Sequence, residues 1–120
     1  PIHGHRATCP VNGDTKLWIG SVKSVIANFL KAHELAQAES LPTYRAFNSP
    51  GITLTIHEMV DALERAGGDP SLIDWDFDPS IDAIVSSWPA ALDVSPELKI
   101  GFTQDTNFSE VIKDYVQIYG

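Results

Sequence analysis

The stretch LTIHEMVDALERAGG, Leu54 to Gly68, fixes one helix at both ends and so constrains everything around it. Thr55 and Glu58 have the spacing of a capping box. In that motif the hydroxyl accepts the backbone N–H three residues on, and the carboxylate accepts the N–H of the cap residue. Leu54 and Met59 occupy the two positions of a hydrophobic staple. Ile56, Met59, Val60 and Leu63 fall on one stripe, and Gly67 supplies the left-handed stop. A helix with such defined limits needs a surface to cover its stripe, and the rest of the chain must provide one.

Several other segments carry similar signals. Val22, Val25, Ile26, Phe29 and Leu30 recur at helical spacing, which predicts a helix to about Ala38 with these residues on one face. Asp69-Pro70-Ser71 and Asp78-Pro79-Ser80 read as two helix starts, with Asp capping and Pro at the first helical position. The second leads into Ile81, Ile84, Val85 and Trp88 at helical spacing. Asp93 or Ser95 caps a short helix ended by Gly101. Asn107 and Glu110 start a last one with the stripe Phe108, Val111, Ile112, Tyr115 and Val116. Strands are shorter. Two are expected around a tight Asn12-Gly13-Asp14 turn, one at Tyr44–Asn48, and one within Leu72–Phe77. The fold class is therefore α/β, or α+β for the piece in isolation, helix-rich with short strands.

A length of 120 residues and 43% apolar composition allow one core and at most one domain. A net charge of −8 argues against nucleic acid as a partner, and no run approaches a membrane span. Cys9 is the only cysteine, which fits a reducing cytoplasm and excludes an internal disulfide.

Chemistry is sparse. There is no Gly-rich dinucleotide loop, no P-loop and no Tyr-x-x-x-Lys pair. His57-Glu58 opens like a zinc-protease motif, but Asp61 stands where the second His belongs. His3, His5 and Cys9 lie close in sequence, yet a metal site needs a fourth ligand and a rigid frame, and a terminal segment with incidental histidines is the simpler reading. Asp74, Asp76 and Asp78 alternate with Trp75 and Phe77, as on a strand with one wet face. His33 continues the Phe29 stripe and reads as a core or boundary histidine. Taken by themselves, Trp18 and Trp88 favour core packing over ligand stacking.

The order of these motifs resembles the C-terminal part of an extended short-chain dehydrogenase/reductase, the NAD-dependent epimerase/dehydratase family. The resemblance covers nearly the whole chain and is closest to the D-erythronate dehydrogenase-like branch. It rests on Phe47-Asn48-Ser49-Pro50-Gly51, on Leu54-Thr55-Ile56-His57-Glu58, and on Asp93-Val94-Ser95 running to Ile100-Gly101-Phe102. It implies that the NAD(P)-binding Rossmann half, with its Tyr and Lys, lies outside this chain. Pro1 is then a point inside a longer protein, and residues 1–120 form the small substrate-binding domain. The segment Trp88 to Asp93 matches a region bordering the substrate cleft, where the branch reads WPARFD and this chain has Ala91. The candidate substrate-binding residues are Trp18, Trp88 and Asp93. Expected partners are a small sugar or sugar-acid substrate and the missing Rossmann half, or a second copy in a homodimer. The other expectation, from a different class, is a stand-alone acidic interaction module without catalysis. A large exposed apolar patch favours the fragment.

Overall fold

Each strand finds its partner far along the chain. The computed structural model describes residues 1–120. Strand β1 (Ala7–Cys9) pairs in parallel with β4 (Ile73–Trp75), with Thr8 opposite Asp74. Strand β2 (Lys16–Ile19) pairs antiparallel with β3 (Ile52–Thr55), with Trp18 opposite Thr53. The hairpin expected around Asn12-Gly13-Asp14 does not form, because β1 and β2 belong to different sheets. The turn itself is present: Thr15 N–H donates to the Asn12 carbonyl at 3.0 Å. Its glycine answers to a close approach instead of a positive φ, since a Cβ at Gly13 would overlap the His57 ring.

Helix α1 (Val22–Gln37) follows β2, capped by the Ser21 side chain on the Ser24 N–H. Helix α2 (Ile56–Arg65) has the complete capping box: Glu58 N–H donates to Thr55 Oγ1 at 3.1 Å, and Thr55 N–H to Glu58 Oε2 at 2.8 Å. It stops at Gly67, which has φ +89°. The two Asp-Pro-Ser triplets behave as helix starts, although the first opens only the 3₁₀ turn Pro70–Leu72. The second opens α3 (Pro79–Val85), which ends before Trp88, so that residue is not on the helix its spacing suggested. Helix α4 (Ser95–Lys99) begins just after Asp93, whose carboxylate accepts the Ser95 N–H at 3.0 Å. Helix α5 (Phe108–Tyr119), capped by Asn107, packs against α2 and buries Ile112 against a core that includes Ala62.

Tyr44–Asn48 forms no strand. No backbone–backbone hydrogen bond involves these residues, and the Asn48 N–H instead donates to Glu97 Oε1 at 2.8 Å. Alternation alone cannot make a strand without an edge to pair with.

Helix α1 is turned the opposite way from its amphipathic pattern. Its apolar stripe faces outward, with Val22 and Phe29 each 73% exposed and Ile26 and Leu30 more than half exposed. Its small polar residues face inward, with Ser24 and Asn28 only 7% and 5% exposed. The cause is a polar clasp. Asp105 accepts from Ser21 N–H at 2.6 Å, Ser21 Oγ at 2.8 Å and Ser24 Oγ at 2.7 Å. Asn28 adds a two-way bond, donating to the Thr103 carbonyl at 2.9 Å and accepting the Thr103 N–H at 2.7 Å. Residues 103–105 thus seat on the polar side of α1 and leave the other side open. His33 is likewise exposed, contrary to the core or boundary place its position suggested.

The whole is flat, 50 × 34 × 17 Å, and buries only 13 of its residues. Its radius of gyration is 16.7 Å, where about 13.6 Å is usual for this length. Its accessible surface is 7719 Å², against about 6,400 Å² for a self-contained protein of this mass.

Candidate functional site

Trp18 reaches the surface from β2, where the ladder to β3 sets its position. Its indole Nε1–H donates to the Ser49 carbonyl at 3.0 Å. That approach requires Gly51, since a Cβ there would meet the Ile19 carbonyl at 2.6 Å and the Trp18 nitrogen at 3.0 Å. Across from β2, the loop after α3 is tied down by Thr53, whose hydroxyl donates to the Ala90 carbonyl at 2.6 Å. The Trp88 N–H donates back to the Val85 carbonyl at 3.1 Å and completes the turn that ends α3.

These restraints bring Trp18 and Trp88 together. Leu17, Trp18, Ile19, Trp88, Pro89 and Leu92 line a cleft of about 260 Å³. Trp18 is half-buried and Trp88 is 56% exposed, so core packing does not describe Trp88. Asp93 follows Leu92 but is not among the lining residues. Its Oδ1 accepts both the Ser95 hydroxyl at 2.6 Å and the Ser95 N–H. Those two bonds hold its carboxyl below the usual range. As placed, Asp93 shapes the start of α4 through one carboxylate oxygen. Reading the sequence singled out the two tryptophans and the segment Trp88 to Asp93 that contains Pro89 and Leu92, but missed Leu17 and Ile19. Nothing local to β2 says that residues near 90 will lie beside it.

The remaining chemistry-bearing groups are occupied elsewhere. Arg6 pairs with both carboxylate oxygens of Asp74 and joins β1 to β4, which lowers the Asp74 carboxyl and raises the guanidinium. Asp78 caps α3. The single wet face expected of Asp74, Asp76 and Asp78 is not found, because Trp75 and Phe77 on the alternate positions are also exposed, 47% and 56%. With only three residues and one paired neighbour, β4 has no layer to cover that side. The His57 ring lies tilted against Trp75, with a centroid distance of 5.3 Å and an interplanar angle of 42°. No three His, Cys, Asp or Glu side chains converge as a metal site. No helix is long and apolar enough to cross a membrane.

Another concave surface lies on the outward side of α1. Val22 and Ile26 meet Val111, Tyr115, Ile118 and Tyr119 of α5 around a groove of about 420 Å³. It continues the exposed stripe of Phe29 and Leu30.

Several known proteins, each longer than this chain, resemble it. Two D-erythronate dehydrogenases match it: that of Haemophilus influenzae is 38% identical over 98% of this chain, and that of Cupriavidus necator 35% identical over all of it. The chain spans only 38% and 37% of their lengths. No family model matches. Among solved structures, a nucleoside-diphosphate-sugar epimerase from Agrobacterium tumefaciens superposes with a TM-score of 0.85, at 24% identity, over 97% of this chain and 34% of that one. A GalE-like L-threonine dehydrogenase from Cupriavidus necator superposes with a TM-score of 0.79, at 21% identity, over 99% of this chain and 38% of that one. The α/β architecture and the resemblance read from the motifs are both borne out.

Proposed function

We propose that this chain, similar throughout to the C-terminal portion of extended short-chain dehydrogenase/reductases, is the substrate-binding part of an NAD(P)-dependent sugar epimerase/dehydratase or sugar-acid dehydrogenase. One observation carries the reading beyond similarity: the outward apolar face of α1. Four large apolar side chains in a row on one helix, Val22, Ile26, Phe29 and Leu30, are what a helix shows when the body it packs against is absent. The flat shape and the surplus surface support the same conclusion. In this reading the face is covered by a cofactor-binding Rossmann half in the same polypeptide.

The residues here do not fit NAD(P): no Gly-rich loop is available for a pyrophosphate and no Tyr-x-x-x-Lys pair for proton transfer. Their work is recognition. Trp18 and Trp88 grip the part of the substrate remote from the reacting carbon, while Asp93 fixes the end of the loop carrying Trp88. Contacts of that kind supply the binding energy that orients the reacting carbon toward the cofactor half. The reading is tested by assaying the polypeptide that contains this sequence for NAD(P)H formation with D-erythronate, other sugar acids and nucleotide sugars, and for interconversion of epimers. Turnover with any of these supports it. A polypeptide with no oxidoreductase or epimerase activity, and with stable binding of a protein through the α1 face, makes the chain an interaction module instead.

A further inference from the structure

The cleft between the two tryptophans points to one feature of the substrate, given the substrate-binding role proposed above. None of its six lining residues is charged. Several polar groups at its border already have partners. The Trp18 indole N–H is bonded to Ser49, the Ala90 carbonyl accepts from Thr53, and the Asp93 carboxylate oxygen is held by Ser95. The cleft therefore offers ring faces and aliphatic walls, with no charged side chain among them. A carboxylate entering it would lose water and find no cationic side chain in the lining to replace it, which is unfavourable. The protein's own charge of −8 works in the same direction. The volume of about 260 Å³ lies below the roughly 300–1,000 Å³ of sites that enclose a drug-sized ligand. It suits a single ring.

The geometry points to an uncharged sugar ring as the group this cleft receives, held by its C–H face against Trp18 and Trp88 with its hydroxyls directed to water. The anionic end of a sugar acid, if the enzyme uses one, is recognised elsewhere. Trp18 and Trp88 are then specificity-determining residues for a neutral ring.

Two probes that share a ring and differ in one carboxylate test this without turnover: methyl β-glucopyranoside and methyl β-glucuronide. Each is titrated into the polypeptide containing this sequence while tryptophan fluorescence and saturation transfer from the indole protons are recorded. The neutral glycoside is expected to bind and the glucuronide to bind at least tenfold more weakly. Trp88→Ala is expected to weaken the glycoside about three- to tenfold, the range of an aromatic contact. Because Trp88 is largely exposed, that variant keeps its fold. Leu92→Arg places a cation in the cleft and is expected to admit the glucuronide. Equal binding of the two probes, no binding of either, or a glycoside affinity unchanged by Trp88→Ala overturns the inference. Because the readout is binding alone, an inactive polypeptide that still selects the neutral ring refutes the enzyme reading and leaves this one standing.

Discussion

Replacing Asp105 by Ala removes the acceptor that turns α1 inside out. Three hydrogen bonds converge on this carboxylate, from the Ser21 N–H and from the hydroxyls of Ser21 and Ser24. Both serines are only 7% exposed, so their donors would be left without water. A hydrogen bond to a charged acceptor contributes about 1.5–3 kcal/mol, and an orphaned buried donor costs about 1–3 kcal/mol. The three share one acceptor and are not additive, and Asp105 itself is only half-buried. A net loss of about 3 kcal/mol is the reasoned value, or a fall in Tm of roughly 10–15 °C for a domain of this size. Asp105→Asn keeps one oxygen and should lose about half as much. The effect also depends on pH. Desolvation pushes the Asp105 carboxyl up, but the bonds from Ser21 and Ser24 outweigh it and leave the group below its ordinary 3.8. A carboxyl lowered by folding stabilises fully above its unfolded pKa and loses that contribution as pH falls through the folded one. The difference between wild type and Asp105→Ala should thus be full at neutral pH and shrink below about pH 4. Urea unfolding followed by circular dichroism at several pH values measures it. A loss under about 1 kcal/mol at neutral pH, or one that does not change with acid, refutes the clasp as the cause of the orientation of α1.

Three further substitutions give distinct outcomes. Thr55→Ala breaks the capping box and should cost about 1 kcal/mol in urea unfolding, with little change in m. Gly67→Ala meets no atom within 4 Å but must hold φ +89°, so it should cost about 1 kcal/mol through backbone strain alone, with Gly67→Asn recovering part. Phe29→Glu, at a position 73% exposed, should leave the stability of the isolated chain within about 0.5 kcal/mol. The same change should reduce its tendency to associate in sedimentation and weaken docking of the cofactor half.

The parts of the fold legible in the sequence are those set by near neighbours. Thr55 with Glu58 and Asp78 with Pro79 act within one turn of helix and are found where their spacing placed them, and Asn107 caps α5 as expected, although Glu110 bonds Lys113 and does not reach back to it. What escaped reading depends on distant partners. The strands β1 and β2 looked like a hairpin because a turn joins them, but their mates lie at β4 and β3. Tyr44–Asn48 has the alternation of a strand and no edge to join. In α1, small polar residues ordinarily mark the wet face, and only Asp105 and Thr103, far along the chain, turn them inward. At the site, the aromatic candidates Trp18 and Trp88 do line one cleft. Asp93 was legible as a cap, and one of its carboxylate oxygens does accept from Ser95 at the start of α4, although Val94 holds the N-cap position.

The central claim is that the outward face of α1 packs on a cofactor-binding half. Its most direct measurement is the labelling of a thiol placed at Leu30, in a background where Cys9 is serine. The 120-residue chain and the complete polypeptide that contains it are compared under native conditions. Leu30 is 60% exposed here, so Leu30→Cys should react in the isolated chain as fast as a free thiol. In the complete polypeptide it should be protected by at least a hundredfold, the ratio expected when reaction requires an opening of about 2.7 kcal/mol or more. Equal labelling rates in the two would contradict the account.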